Sequence, residues 1–180
     1  MNFVQGMRID TLESLIAELE RGIAIIRDLG VETFRATKKG NGSIGAHFRH
    51  NLDFVNSFLN GIAERRIDYN DRGRDTTVET RPAHAVEQMQ FAMRRLKGVQ
   101  PDIFDRIVMV RSEINEDVWH ASSVAREIEF LHSHTVHHYA LVSKLMAEAG
   151  RATGEEFGVA PSTLKFRSGA ASDQGSYIAT

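Results

Sequence analysis

The chain contains no cysteine. That excludes disulfides, thiolate metal sites and a cysteine nucleophile together, and it is compatible with a reducing compartment. Positive charge is not in surplus either. With 22 Lys and Arg against 24 Asp and Glu, the formal net charge is −2. No basic stripe accompanies it, so nucleic acid is not an expected partner. No run of about 20 apolar residues is present to span a bilayer. The opening stretch MNFVQGMRIDTLESL lacks a basic segment followed by an apolar one, so no secretory signal is read there. Glycine-rich phosphate loops, a serine elbow and paired catalytic carboxylates are also missing. A soluble, cytoplasmic protein is the expectation. At 180 residues, 42% of them apolar, the chain is long enough for one domain with a sizeable core.

What is present is helical periodicity. Leu12, Leu15, Ile16, Leu19, Ile23 and Ile26 recur at steps of three and four, which predicts a helix over about 8–29. Asp10 or Thr11 can cap its start, and Gly30 fits its end. The stretch ETFRATKKGNGS reads as loop. Ser43 then caps a second helix, to about residue 64, with Ile44, Phe48, Leu52, Val55, Leu59 and Ile62 on one face. Residues 65–80, RRIDYNDRGRDTTVET, have no apolar period and read as a long surface or site-lining loop. Pro82 suits the first turn of a third helix, faced by Ala85, Met89, Ala92 and Leu96. The β-branched run at 107–110 and the pair Val118-Trp119 suggest a small hairpin. Ser122 or Ser123 caps a last long helix that carries Val124, Ile128, Leu131, Val142 and Leu145 and ends at Gly150. Four stripes that each need covering predict an all-α four-helix bundle, with a long loop after the second helix and a hairpin before the fourth. The domain is expected over 1–165, and 166–180 reads as a flexible tail.

The unusual stretch is FLHSHTVHHY, residues 130–139, which holds His132, His134, His137 and His138. On an α-helix, positions four apart lie about 40° and about 6 Å from one another, so His134 and His138 share a face. Two imidazoles so placed can converge on one cation. The pair His134 and His137 is a competing choice, while His132 points elsewhere. A third ligand has to come from another helix, and SIGAHFRHNLDF offers His47 and His50. The period of the second helix favours His47, which lies closer to the apolar stripe.

SIGAHFRH on the second helix and SHTVHHYAL on the last, in that order, resemble the DinB/YfiT-like family. The resemblance extends over about 8–165, through IDYNDRGRDTTVE, SSVAREIEFL and FGVAPSTLKF. It implies a four-helix bundle with a three-histidine metal site. The second-helix ligand falls on His50 and the last-helix pair on His134 and His138, against the periodic preference for His47. His47 and His137 become outer or surface candidates. One departure is that YALV begins directly after His138, where many members carry an arginine-glycine pair. A homodimer is also implied.

Three neutral imidazoles leave a divalent ion its full charge and an open position, which marks a catalytic rather than a structural site. Zinc, nickel and iron all accept such ligands. By resemblance, the expected function is a metal-dependent enzyme activating a small thiol or water, of the thiol S-transferase or hydrolase type. The alternative is a non-catalytic metal-binding or stress-associated scaffold. Arg49, Tyr69, Arg72 and Arg74 form a cationic and phenolic set that can take an anionic substrate. The competing reading pairs the arginines with Asp68, Asp71, Asp75 or Glu79. Glu127 and Glu129 can orient an imidazole or lie on a solvated face. Trp119 and Tyr139 are pocket walls or core.

Overall fold

The computed structural model describes residues 3–37 and 42–174. In chain order the helices are α1 (Phe3–Arg27), α2 (Val31–Arg35), α3 (Ile44–Gly61), α4 (Thr76–Thr80), α5 (Pro82–Lys97), α6 (Val124–Glu148) and α7 (Pro161–Gln174). The strands are β1 (Arg66–Ile67), β2 (Ile107–Arg111) and β3 (Trp119–Ser123), with a 3₁₀ turn at Pro101–Ile103. Four long helices carry the architecture. α1 packs against α5 and α6, and α3 packs against the same two, closing a ring of four. The inward faces are the apolar stripes: Leu15 and Leu19 on α1, Phe48 and Val55 on α3, Met89 and Leu96 on α5, Ile128 and Leu131 on α6. Among the described residues no helix is long and apolar enough to cross a membrane.

Local chemistry fixes the helix starts. Ser43 Oγ accepts from the Ala46 N–H at 3.0 Å, and Ser123 Oγ accepts from the Arg126 N–H at 3.2 Å, each meeting a donor with no partner in its own helix. Pro82 stands at the first turn of α5, where its missing N–H costs nothing. Asp75 caps α4 by accepting from the Thr77 N–H at 2.9 Å.

The fold is not purely all-α. The hairpin forms, with β2 antiparallel to β3 from Ile107↔Ser123 to Arg111↔Trp119. A third strand joins it, since β1 runs parallel to β2 through Arg66↔Met109 and Ile67↔Val110. β1 and α4 both lie inside 65–80, which reads as loop in the sequence. A strand of two residues and a helix of five complete no apolar period, so composition cannot reveal them. α2 is hidden in ETFRATKKGNGS for the same reason, and only Phe34 on it is buried. α7 occupies much of the expected tail. It is exposed over 161–169 apart from a half-buried Leu164, so it has no stripe to announce it. The rest of that expected tail, 175–180, lies outside the described residues.

Two glycines allow close approaches that set the site. A Cβ on Gly45 would lie 2.1 Å from the Glu79 carbonyl oxygen, so the start of α3 meets the end of α4 only because that Cβ is absent. Gly158 has φ +73°, and a Cβ there would lie 2.4 Å from the Ala140 amide nitrogen. The segment after α6 is thus pressed onto that helix, with Phe157 stacked on Tyr139 at 4.7 Å. Gly158→Ala combines left-handed strain with a clash against backbone, and should cost about 3 kcal/mol. For a chain of this length the melting temperature should fall by about 10 °C. Gly154→Ala, where nothing lies within 4 Å, is the matched control. A shift below about 2 °C for Gly158→Ala in thermal unfolding would show that the segment is not seated there.

Candidate metal centre

α3 and α6 bring three histidines together. His134 and His138 sit one turn apart on α6, and His50 faces them from α3. Ring centroids are 4.6 Å apart for His50–His138 and for His134–His138, and 5.2 Å for His50–His134. One nitrogen from each ring lies within 4.8 Å of the other two. The helix pair is held in rotation by polar residues adjacent to these histidines. Thr135 donates within α6 to the Leu131 carbonyl at 2.7 Å, and its hydroxyl sits 3.1 Å from the side-chain oxygen of Asn51. Both Thr135 and Asn51 are buried, so sliding either helix would strand polar atoms away from water.

The three rings are neutral at pH 7. Burial, with the charge of Arg72 next, lowers His50 to about 4. Burial, with His50 next, lowers His134 to about 4. Burial, with His134 and His50 next, lowers His138 to about 3. Neutral imidazole is the form that binds a metal. The Nε2 of His134 is buried with no hydrogen-bond partner. A buried nitrogen of that kind ordinarily has a partner, and a cation would satisfy it. The donor set contains no carboxylate, so a divalent ion there would keep its full charge. The residues present fit a divalent metal.

Aromatic rings wall the cluster. Phe54 stacks on His134 at 4.1 Å, Phe130 lies 5.7 Å from it, and Tyr69 stacks on Phe54 at 5.1 Å. Phe130 and Tyr69 also line a 330 Å³ cleft with Arg111, Ser112, Arg126 and Glu127. Phe54 and Phe130 are missed by the periodic reading, although each stands four residues from a histidine on its own helix: Phe54 from His50, Phe130 from His134. That i,i+4 step was the available signal.

The remaining candidates separate. His47 Nδ1 lies 3.1 Å from His138 Nδ1, so it touches the cluster from outside the set of three. Two neutral rings in that contact need one donor and one acceptor. His137 is exposed and meets His138 edge-on at 5.2 Å. Arg49 is committed to Asp53 and Glu79. Tyr69 is buried and donates to Glu127 Oε2 at 2.9 Å, and Ser122 donates to the other carboxylate oxygen. Glu127 therefore holds Tyr69 and Ser122 rather than an imidazole, and it is buried rather than solvated. Glu129 is exposed. Arg74 is exposed, with φ +44°. Arg72 carries its guanidinium 5.0 Å above the Phe54 ring. Trp119 lies under Arg66 at 3.9 Å, and Tyr139 is wholly buried core; neither has a ring contact with the three clustered histidines.

No family model matches the chain, and no curated protein matches it. Among solved structures, it is similar to YfiT from Bacillus subtilis, described as a probable metal-dependent hydrolase with an unusual four-helix bundle topology. The TM-score is 0.58, over 84% of this chain and 91% of that one, at 14% identity. The likeness is one of fold.

Proposed function

We propose that the chain is a metal-dependent enzyme in which His50, His134 and His138 hold one divalent ion with an open coordination position. The observation that carries this reading is the convergence of three neutral imidazole nitrogens within 4.8 Å. The description of the fold neighbour as a probable metal-dependent hydrolase supports it. When bound, such an ion would acidify a water or a small thiol, which suits hydrolysis or thiol S-transfer. Zinc, nickel and iron are all compatible with the ligand type.

The chain's own residues supply the setting. Phe54 and Phe130 exclude water from one side of the cluster, which strengthens electrostatic interactions within it. Thr135 and Asn51 hold the two ligand-bearing helices in register. If His138 ligates through Nε2, its Nδ1 bears the proton and donates to His47 Nδ1, which fixes the tautomer of the ligand.

Cobalt substitution tests the reading. The loaded protein should show visible absorption that shifts when azide or 2-mercaptoethanol is added, because a coordination position exchanges. A spectrum indifferent to both would mean a closed site, and would favour an ion with a structural role.

A further inference from the structure

Among the described residues beside the cluster, Arg72 is a cationic side chain that no carboxylate holds. Of the arginines near the cluster, Arg49 is held by Asp53 and Glu79. Arg74 stands in solvent. Arg72 is different: its guanidinium lies over Phe54, and its Nε is buried with no hydrogen-bond partner among the described residues. Phe54 is also the ring stacked on His134. One aromatic plane thus carries the imidazole and the guanidinium together.

The charge around it agrees. Arg72 acts electrostatically on His50 and His134, and it also favours the charged form of Asp53. Asp53 accepts its hydrogen bond from Arg49 instead. The Arg49, Asp53 and Glu79 group carries one surplus negative charge, which Arg72 offsets at a distance without a bond. Adding a divalent ion on three neutral ligands leaves the centre strongly positive. A guanidinium donor kept out of water and left unpaired beside such a centre matches an anionic oxygen group, carboxylate or phosphate, presented by a ligand.

We propose that Arg72 receives the anionic group of the substrate, so that the substrate class is a small molecule bearing a carboxylate or phosphate near its metal-bound atom. This rests on the metal-centre reading above. The cation–π contact with Phe54 holds the guanidinium in place before the ligand arrives.

The test uses cobalt-loaded full-length protein and two thiols, 3-mercaptopropionate and 2-mercaptoethanol, titrated against the visible band. Both offer sulfur to the metal, and only the first offers a carboxylate. The measured quantity is the preference for the acid over the alcohol, compared between variants so that intrinsic thiol differences cancel. Arg72→Gln should cut that preference about tenfold. Arg72→Lys, which keeps a charge but not the fork, should cut it about threefold. Arg74→Gln removes the same charge from an exposed neighbour and should leave the preference intact. An equal preference in wild type, Arg72→Gln and Arg72→Lys overturns the assignment of Arg72 alone. A spectrum that responds to neither thiol overturns the open-site reading, and this proposal with it.

Discussion

Replacing His134 and His138 together with alanine should leave the purified chain with no retained divalent ion. Wild-type protein, prepared without a nickel column, should carry about one ion per chain if each triad takes a single cation. The double variant keeps only His50 of the converging set. Its affinity should drop by more than about a thousandfold, beyond the tenfold to hundredfold typical of losing a residue that merely orients a ligand. His47→Gln falls in that lesser class, because His47 meets the cluster through His138. Metal analysis and zinc titration separate the two cases. Both α6 positions are half-buried, and the neighbouring apolar residues Leu131 and Val142 remain, so circular dichroism should still report a helical protein. A full complement of metal in the double variant would place the ligands elsewhere.

Metal-free protein should become much less stable as pH falls from about 6.5 towards 5. In the unfolded chain each histidine titrates near 6.5. In the folded chain His50 and His134 titrate at about 4 and His138 at about 3. Between those values the unfolded state takes up three protons that the folded state refuses, so acid favours unfolding. The contribution is fully present above 6.5 and is lost as pH falls through the folded values. Three protons set an upper slope of about 4 kcal/mol per pH unit. The rings are only half-buried and solvent screens them, so about half that slope is expected, or about 3 kcal/mol between pH 6.5 and 5. His132, lowered by burial on another face of α6, adds in the same sense. Glu18 and Asp53, raised by burial, act in the opposite direction, chiefly closer to the ordinary carboxylate range. Urea unfolding of chelator-treated protein at pH 7.5, 6.0 and 5.0 measures the slope. A midpoint that stays level across that span would mean that the imidazoles protonate freely in the native state.

Much of the fold was legible because apolar residues repeat at helical steps along four helices of 16 residues or more. The parts that were not legible are short or lack a stripe. β1 has two residues, α2 and α4 have five each, and α7 shows solvent nearly every side chain described on it. The i,i+4 spacing of His134 and His138 was plain. The choice between His47 and His50 was not, because the period pointed to His47 and only the family resemblance pointed to His50. The structure brings His50 into the cluster for a reason the apolar pattern misses. β1 and α4 pack against α3, so its buried face widens to take in Asn51, Asp53 and Phe54 as well as the stripe. Polar positions on a flank become interior once a neighbour covers them, and no count of apolar residues records that neighbour. The arginines were indistinguishable by spacing. Partners decide their roles, and partners are a property of the folded chain.

Without cysteine, the chain has no covalent staple between distant segments. Its nearest equivalent is the meeting of residue 50 with residues 134 and 138. A cation held there would clasp two points more than about eighty residues apart, and because it binds the folded chain and not the unfolded one it would add about 2.7 kcal/mol at a free-ion concentration about a hundred times its dissociation constant. Such a fastening is undone by a chelator where a disulfide would need a reductant.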